Sequence, residues 1–184
     1  METRNFGFIL GAFVLAACGA PSESRTTPSS ARSAMTSSFE GCRADRIESD
    51  LRMTPIEMIA LDDVPEGTYF ISTTYLALSS DLEAQSDFRE AMGNMMRVLP
   101  SAPGLVSYRF GTSQSCLTAR TVAVWRDQAA MRAFVNSPEH HWAMRRISSI
   151  SRGDSTFAHW EGGADSAQWD RVAIELARHD GPRL

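Results

Sequence analysis

The sequence predicts an α+β domain in which a four-stranded antiparallel sheet carries two helices on one face. Four segments rich in aromatic and β-branched residues alternate with two segments of helical periodicity, in the order strand, helix, strand, strand, helix, strand. A short polar turn separates the two middle strands, which predicts an antiparallel hairpin. This order of elements is that of the split βαβ unit.

The first half of the unit consists of a strand and a helix. The strand is predicted at residues 69–78, and Ser80 and Glu83 after it have the pattern of a capping box with Ser80 as N-cap. Apolar side chains then recur at steps of three and four residues, which predicts a helix with one buried face: Phe88, Ala91, Met92, Met95, Met96 and Leu99. Pro100 ends that helix.

The second half repeats the pattern after a hairpin. Strands are predicted at residues 105–110 and 117–125, and alternate residues of the second strand share one face: Leu117, Ala119, Thr121, Ala123 and Trp125. Asp127 begins a helix that breaks near Asn136 and restarts with Ser137 as N-cap and Pro138 in the first helical position. A fourth strand at residues 156–161 and an amphipathic helix from about Ser166 to Arg178, ended by Gly181, complete the chain.

The N-terminal segment indicates export. The apolar run at residues 6–14 is too short to span a bilayer and is typical of a signal peptide. Leu15-Ala16-Ala17-Cys18 after it resembles the lipobox of bacterial lipoproteins, which implies that Cys18 is acylated. The alternative is an ordinary secretory signal that contains a cysteine. Gly19 is not the aspartate associated with inner-membrane retention, so the resemblance favours the periplasmic side of the outer membrane in a bacterial cell envelope.

Five regions follow from these patterns. They are a signal peptide at residues 1–17, a lipidated Cys18 with a flexible tether at residues 18–38, an arm at residues 39–68, the α+β domain at residues 69–161, and a C-terminal helix and tail at residues 162–184. The tether is rich in proline and small polar residues and lacks hydrophobic periodicity. The prediction is thus one folded domain held at a membrane by a lipid anchor.

Net charge and the number of cysteines limit the partners and sites that this chain can have. The net charge of −4 and the lack of a basic patch argue against nucleic acid as a partner. With Cys18 assigned to lipid, Cys42 and Cys116 remain as a pair in an oxidising compartment, and we expect them to form a disulfide worth about 4 kcal/mol. Two unpaired thiols are the alternative. The spacing of the cysteines matches no metal motif, so no metal site is expected.

Three stretches of the domain resemble the antibiotic biosynthesis monooxygenase superfamily, whose members are dimeric α+β barrels of ferredoxin-like fold. The stretches are Val124 to Phe134, the set Ser137, His140, Ala143 and Met144, and Ala158 to Glu161. The resemblance implies a homodimer whose sheets pack face to face, with a pocket between sheet and helices in each subunit. Because the fold hosts cofactor-free quinol oxygenases, haem degraders, isomerases, aldoxime dehydratases and proteins with no known activity, it leaves the chemistry open.

Within this resemblance, eight residues are candidates for the site. His140, Arg109, Tyr108 and His159 are candidate catalytic residues, with His140 as a base toward a phenol and Arg109 holding the resulting anion. Trp125, Phe134, Met144 and Trp160 are candidate pocket residues. The alternatives are a structural His140 at a helix start and tryptophans that only fill the core. Alternation places His159 and Trp160 on opposite faces of the last strand without showing which one faces the helices.

These residues suggest an enzyme that oxidises a small, apolar, phenolic or quinone-like molecule without a bound cofactor. A lipoprotein that binds a small ligand without turnover is the alternative, and haem bound through a histidine is a third hypothesis. The tryptophan and histidine of the haem-degrading branch correspond to Phe134 and Met144 here, so haem degradation is not expected.

The predicted strands are apolar on both faces, which a sheet with one solvated face would not be. Something must therefore cover the face away from the helices. A second copy of the chain is the predicted cover, and the arm with the C-terminal helix is the competing one.

Overall fold

The structure, a computed structural model, describes residues 39–54 and 59–178. The predicted signal peptide, Cys18, the tether and Gly181 lie outside these residues. The strands are β1 (Arg52–Thr54), β2 (Tyr69–Ala77), β3 (Leu105–Ser113), β4 (Thr118–Trp125) and β5 (Thr156–Gly162). The helices are α1 (Leu82–Val98), α2 (Gln128–Val135), α3 (Pro138–Met144), α4 (Ile147–Ile150) and α5 (Trp169–Arg178).

The sheet confirms the predicted fold class and adds one strand to it. Its order is β1-β3-β4-β2-β5, with every neighbouring pair antiparallel. The four strands from β3 to β5 have the arrangement of the ferredoxin-like split βαβ unit. The predicted count of four strands is wrong, because Arg52–Thr54 of the arm pairs with the outer edge of β3. That pairing occupies backbone groups that an edge strand would leave exposed.

Two helix starts differ from the prediction: α5 begins at Trp169 instead of about Ser166, after a separate 3₁₀ turn at Ala164–Ala167, and α1 has a different N-cap. There the N-cap is Asp81, whose carboxylate accepts hydrogen bonds from the backbone N–H groups of Glu83 at 2.9 Å and Ala84 at 3.0 Å. The predicted cap at Ser80 is therefore wrong by one residue, since the carboxylate also complements the positive end of the helix dipole. The cap predicted at Ser137 is confirmed, and so is the helix start predicted at Asp127, where the Asp127 side chain is the N-cap.

The first face of the sheet packs against α1, α2, α3 and α4. Its core combines side chains from β2, β3 and β4 with apolar residues of these helices: Phe70, Leu78, Ala91, Leu99, Tyr108, Phe110, Ala119, Ala123, Trp125, Ala130 and Ile150. The strand face predicted to carry Ala119, Ala123 and Trp125 is thus the face toward the helices. The cavity described below lies within this layer.

The second face of the sheet is covered by the chain itself. Its core combines residues of β2, β4 and β5 with α5 and the segments on either side of the sheet: Leu61, Ile71, Tyr75, Ala77, Val122, Val124, Ala158, Ala167, Val172 and Leu176. Val122 and Val124 are each only 1% exposed in a single copy. The arm and the C-terminal helix therefore cover this face, as the competing hypothesis expected. The homodimer stays a prediction, and the sheet face through which it was expected to form is already occupied.

Three sets of contacts hold the arm on the sheet. Cys42 and Cys116 form the predicted disulfide. Glu48 accepts from Arg120 at 2.7 Å and from the Thr118 hydroxyl at 2.6 Å, and the side chains of Glu48 and Arg120 are 3% and 1% exposed. The other Arg120 nitrogens donate to backbone carbonyls of the arm. No local pattern in the sequence points to this ion pair, because its two residues are 72 positions apart.

A carboxylate at the end of the arm also braces the β3–β4 turn. Asp50 accepts from the hydroxyls of Ser113 and Ser115 and from the backbone N–H groups of Gln114 and Ser115. These hydrogen bonds, that of Ser113 foremost, hold the pKa of Asp50 well below its ordinary value. The arm is therefore bound to the hairpin by covalent, ionic and hydrogen-bonded contacts together.

Candidate functional site

A cavity of about 400 Å³ lies between the first face of the sheet and the helices. This volume is within the usual range for small-molecule sites. The helices contribute apolar side chains to its wall: Phe88, Ala91, Met92, Met95, Leu99, Met131, Phe134, Val135, Ala143, Met144, Ile147 and Ile150. We call this space the helix-face cavity.

The floor of the helix-face cavity is made of rows that run across the strands. The strand register aligns Tyr108, Ala123, Ser72 and His159 in one row. The next row aligns Phe110, Thr121, Thr74 and Phe157. All eight side chains line the cavity. Because neighbouring strands lie about 4.8 Å apart, each row spans roughly 14 Å from its first to its last Cα.

His140 stands in the opposite wall, in the first turn of α3. Its backbone N–H donates to the capping hydroxyl of Ser137 at 3.2 Å. Its ring meets Phe134 edge-on at 5.7 Å, and Phe134 in turn packs against Trp125 at 5.3 Å. The break between α2 and α3 that the sequence predicts is therefore what turns His140 toward the cavity.

The imidazole of His140 has an unused nitrogen. Nδ1 is buried and has no hydrogen-bond partner among the described residues. Burial lowers the pKa of His140 most, the neighbouring His141 lowers it further, and the nearby Val135 carbonyl opposes the shift without reversing it. The ring is therefore neutral at pH 7 and has a free site for a proton or a hydrogen bond.

The cavity carries no fixed charge. Of the described residues that line it, none is an aspartate, glutamate, lysine or arginine. Burial raises the pKa of Tyr108, so that side chain is a neutral phenol at physiological pH. A charged ligand would lose its hydration here without gaining an ionic partner, so the chemistry of the wall favours a neutral ligand.

Six of the eight predicted site residues come together in this cavity. They are His140, Tyr108, His159, Trp125, Phe134 and Met144. His159 is exposed and stacks on Phe70 at 5.4 Å, whereas Trp125 is fully buried and donates from Nε1 to the Ser72 hydroxyl at 3.0 Å. His141 is exposed, as its position on the helix predicts.

Arg109 and Trp160 lie on the other face of the sheet, and their predicted places in the site are wrong. Arg109 donates to the Gln168 side chain at 2.9 Å, just before α5. Trp160 packs in the core of the second face and donates to the Ser166 hydroxyl at 3.2 Å. Both residues alternate with cavity residues, Tyr108 and His159, so strand geometry alone sends them to the opposite side.

Sequence reasoning missed three hydroxyl-bearing residues of the floor as site candidates. Ser72, Thr74 and Thr121 share the parity of Phe70 and Trp125 in the register of β2 and β4. The alternation of β4 already placed Thr121 beside Trp125. Ser72 and Thr74 could be recognised only if the face of β2 toward the helices were known. The sequence does not show it, because both faces of that strand are apolar.

A second cavity, of about 480 Å³, lies beside the 3₁₀ turns that precede β2 and follow β5. Asp62, Glu66 and Asp165 are among its lining residues. In the described part of the chain, no cluster of three or more histidine, cysteine or acidic side chains is placed to hold a metal ion. The helix-face cavity is therefore the better candidate for chemistry.

No helix within residues 39–54 and 59–178 has the length and apolar character needed to cross a bilayer.

The comparison with known families agrees with this geometry. Residues 77–146 match the sequence model of the antibiotic biosynthesis monooxygenase family. The matched segment runs from the end of β2 to the end of α3 and includes His140, Trp125, Phe134 and Met144. The resemblance to this family is confirmed for that part of the chain. No curated protein matches the chain.

Several solved structures are similar to about half of the chain or somewhat more. A dimeric ferredoxin-like protein of unknown function from Jannaschia is 20% identical, covering 51% of this chain and 98% of its own, with a TM-score of 0.44. A Nitrosomonas europaea protein proposed to be an antibiotic biosynthesis monooxygenase is 12% identical, covering 50% and 97%, with a TM-score of 0.44. A Shewanella oneidensis protein is 9% identical, covering 62% and 98%, with a TM-score of 0.46.

Proposed function

We propose that this chain is an envelope lipoprotein whose domain binds a small, neutral, apolar phenol or quinol and promotes its oxidation without a bound cofactor. The observation that carries the proposal is the helix-face cavity, which has no fixed charge and presents one neutral histidine with a free buried nitrogen. The match to the monooxygenase family supports the reaction type.

In this proposal His140 acts on the acidic proton of the ligand. The unpartnered Nδ1 accepts the phenolic proton, and the resulting phenolate gives up electrons to dioxygen more readily than the phenol does. Arg109 takes no part, because its guanidinium is on the other face of the sheet. Tyr108, a neutral phenol in the floor, is the group that can donate a hydrogen bond to the new anion.

The test separates binding from turnover. We expect an apolar phenol to quench or shift the tryptophan fluorescence of the purified chain. We expect the chain to consume oxygen when a quinol is added. His140→Leu should retain most of the binding and lose oxygen uptake by about a hundredfold, the usual contribution of a general base. His141→Leu is the matched control, since that neighbour is exposed. Oxygen uptake that survives in His140→Leu would exclude His140 as the base.

A second candidate is a binding lipoprotein without turnover. The observation in its favour is that no cation among the described lining residues is available to hold a phenolate, because Arg109 lies elsewhere. Tight binding of apolar phenols with no oxygen uptake from any quinol would select this function over the oxidase.

The residues of the helix-face cavity do not fit a haem. His140 and His159 offer imidazole nitrogens, but no arginine or lysine of the described wall is present to pair with the two propionates. We therefore expect the broad Soret band of free haem to be neither sharpened nor shifted when the purified chain is added. A sharp Soret band that disappears in His140→Leu would favour haem binding instead.

The membrane address is part of the proposal and rests on the sequence around Cys18. Growth with a labelled fatty acid should label the wild-type chain and not Cys18→Ser. Cys42→Ser is the control that should keep the label, and fractionation of the envelope should place the labelled chain in the outer membrane. Label that persists in Cys18→Ser would rule out this anchor.

A further inference from the structure

Two threonines occupy the centre of the cavity floor. Thr74 on β2 and Thr121 on β4 are directly paired across the strands, and both line the helix-face cavity. Partners of this kind have Cβ atoms roughly 5 Å apart, so the two hydroxyls form one small polar spot. Phe110 continues the row on one side and Phe157 on the other.

The hydroxyls of Thr74 and Thr121 differ from those of two neighbouring threonines, which donate hydrogen bonds within the protein. Thr73 donates to the Thr121 carbonyl at 2.6 Å, and Thr118 donates to Glu48 at 2.6 Å. The hydroxyls of Thr74 and Thr121 have no hydrogen-bond partner within the described part of the chain, and both are only partly buried. They are therefore available to a molecule in the cavity.

The threonine pair and His140 lie on opposite walls. The threonines belong to the sheet, and His140 belongs to α3, which packs on the same face of that sheet. Around them the wall is mostly methionine, phenylalanine and other apolar side chains. A ligand that fills the space can meet one polar group at each end and apolar surface between them.

We infer that Thr74 and Thr121 form a second polar subsite, and that it selects neutral ligands with oxygen functions at two opposite ends. One oxygen faces His140 and the other takes hydrogen bonds from the threonine pair. A molecule with a single oxygen leaves one of these polar spots unpaired, which costs affinity. This inference rests on the proposed role of the cavity as the ligand site.

Three probes of the same ring size test it: naphthalene, 2-naphthol and naphthalene-2,6-diol. Their affinities are measured by fluorescence titration of the full chain. We expect the diol to bind about five- to tenfold more tightly than the naphthol, the value of one additional neutral hydrogen bond. Thr74→Val with Thr121→Val removes both hydroxyls at nearly constant volume, and should bring the ratio of the two affinities close to one.

Thr112→Val is the matched control, because Thr112 lies in the same sheet and does not line the cavity. It should leave the ratio at its wild-type value, and thermal unfolding should show that all variants fold. A diol advantage that survives in the Thr74→Val, Thr121→Val variant overturns the inference while the proposed function stands. If none of the three probes binds the wild-type chain, both the proposed function and this inference fail.

Discussion

His140 combines burial with an unmet hydrogen-bonding capacity. A buried polar nitrogen without a protein partner costs folding free energy unless water or a ligand supplies a hydrogen bond, and in the proposed function the ligand supplies it. Its edge contact with Phe134 and the capped start of α3 hold the ring in place. A histidine positioned in this way can exchange a proton with a ligand without first moving.

The lowered pKa of His140 predicts a pH dependence of stability. Its ordinary value is 6.5, and the folded chain holds it lower. Just below pH 6.5 the unfolded chain therefore binds more protons at this residue, so the free energy of unfolding falls as the pH falls through that range. Denaturant unfolding at pH 7 and pH 5 measures this change. It should be much smaller in His140→Leu and only slightly smaller in His141→Leu, because His141→Leu removes the lesser of the two causes and keeps the burial of His140. Equal changes in all three proteins would contradict the assignment.

For Arg109 we predict that a substitution has little effect on ligand binding. Because its side chain bonds Gln168 on the second face, Arg109→Met should leave the affinity for apolar phenols within about twofold of wild type. Phe134→Ala, which removes a wall of the cavity, should lower that affinity by about tenfold or more. A loss of binding in Arg109→Met comparable to that in Phe134→Ala would mean that the guanidinium reaches the ligand.

At the scale of elements, the arm behaves as an additional layer of the domain. It adds β1 to the sheet, closes a disulfide to the β3–β4 turn and places the Glu48 carboxylate beside Arg120. A fully buried guanidinium needs this carboxylate, because an uncompensated charge in the interior is costly. Arg120 of the central strand β4 thus depends on the arm for its ionic partner. This dependence fixes the position of the arm relative to the sheet.

Removing the charge of Glu48 tests this dependence. Glu48→Gln should lower the free energy of unfolding by about 3 kcal/mol, because it leaves Arg120 buried without its ionic partner. Glu40→Gln, in an exposed part of the same arm, should change it by less than about 0.5 kcal/mol. Chemical denaturation gives both values. Equal, small effects would show that Arg120 is hydrated when Glu48 is neutral.

At the scale of the molecule, the sheet is covered on both faces within one chain. The helix-face cavity occupies one side, and α5 with the arm occupies the other. The sheet-to-sheet packing implied by the family resemblance would require these segments to leave. A homodimer of the intact chain therefore has to use a different surface.

Displacing α5 tests whether the second face is a latent dimer surface. Val172 is fully buried against the sheet, whereas Ile174 on the same helix is 42% exposed. Val172→Arg should release α5 and raise the sedimentation mass at micromolar concentration above that of wild type, because apolar sheet surface becomes accessible. Ile174→Arg should sediment as wild type does. If Val172→Arg associates no more than Ile174→Arg, the second face does not mediate pairing.

Local patterns in the chain were sufficient for the order of elements from β2 to β5, the helix start at Asp127, the cap at Ser137 and the Cys42–Cys116 pair, but not for β1. Periodicity, capping chemistry and redox compartment act over short stretches or depend only on residue type. The family resemblance, and not these rules, predicted that His140, Trp125, Phe134 and Met144 lie around one pocket.

The facing of the strands was decided only by the tertiary structure. Alternation divides β5 into one set with Phe157 and His159 and another with Ala158 and Trp160, but it does not say which set faces the helices. For the same reason, the sequence did not show that Arg109 lies on the face away from the cavity, or that Thr74 lies on the face toward it. The face that packs against the helices depends on contacts between segments far apart in sequence, among them Glu48 with Arg120 and Arg109 with Gln168.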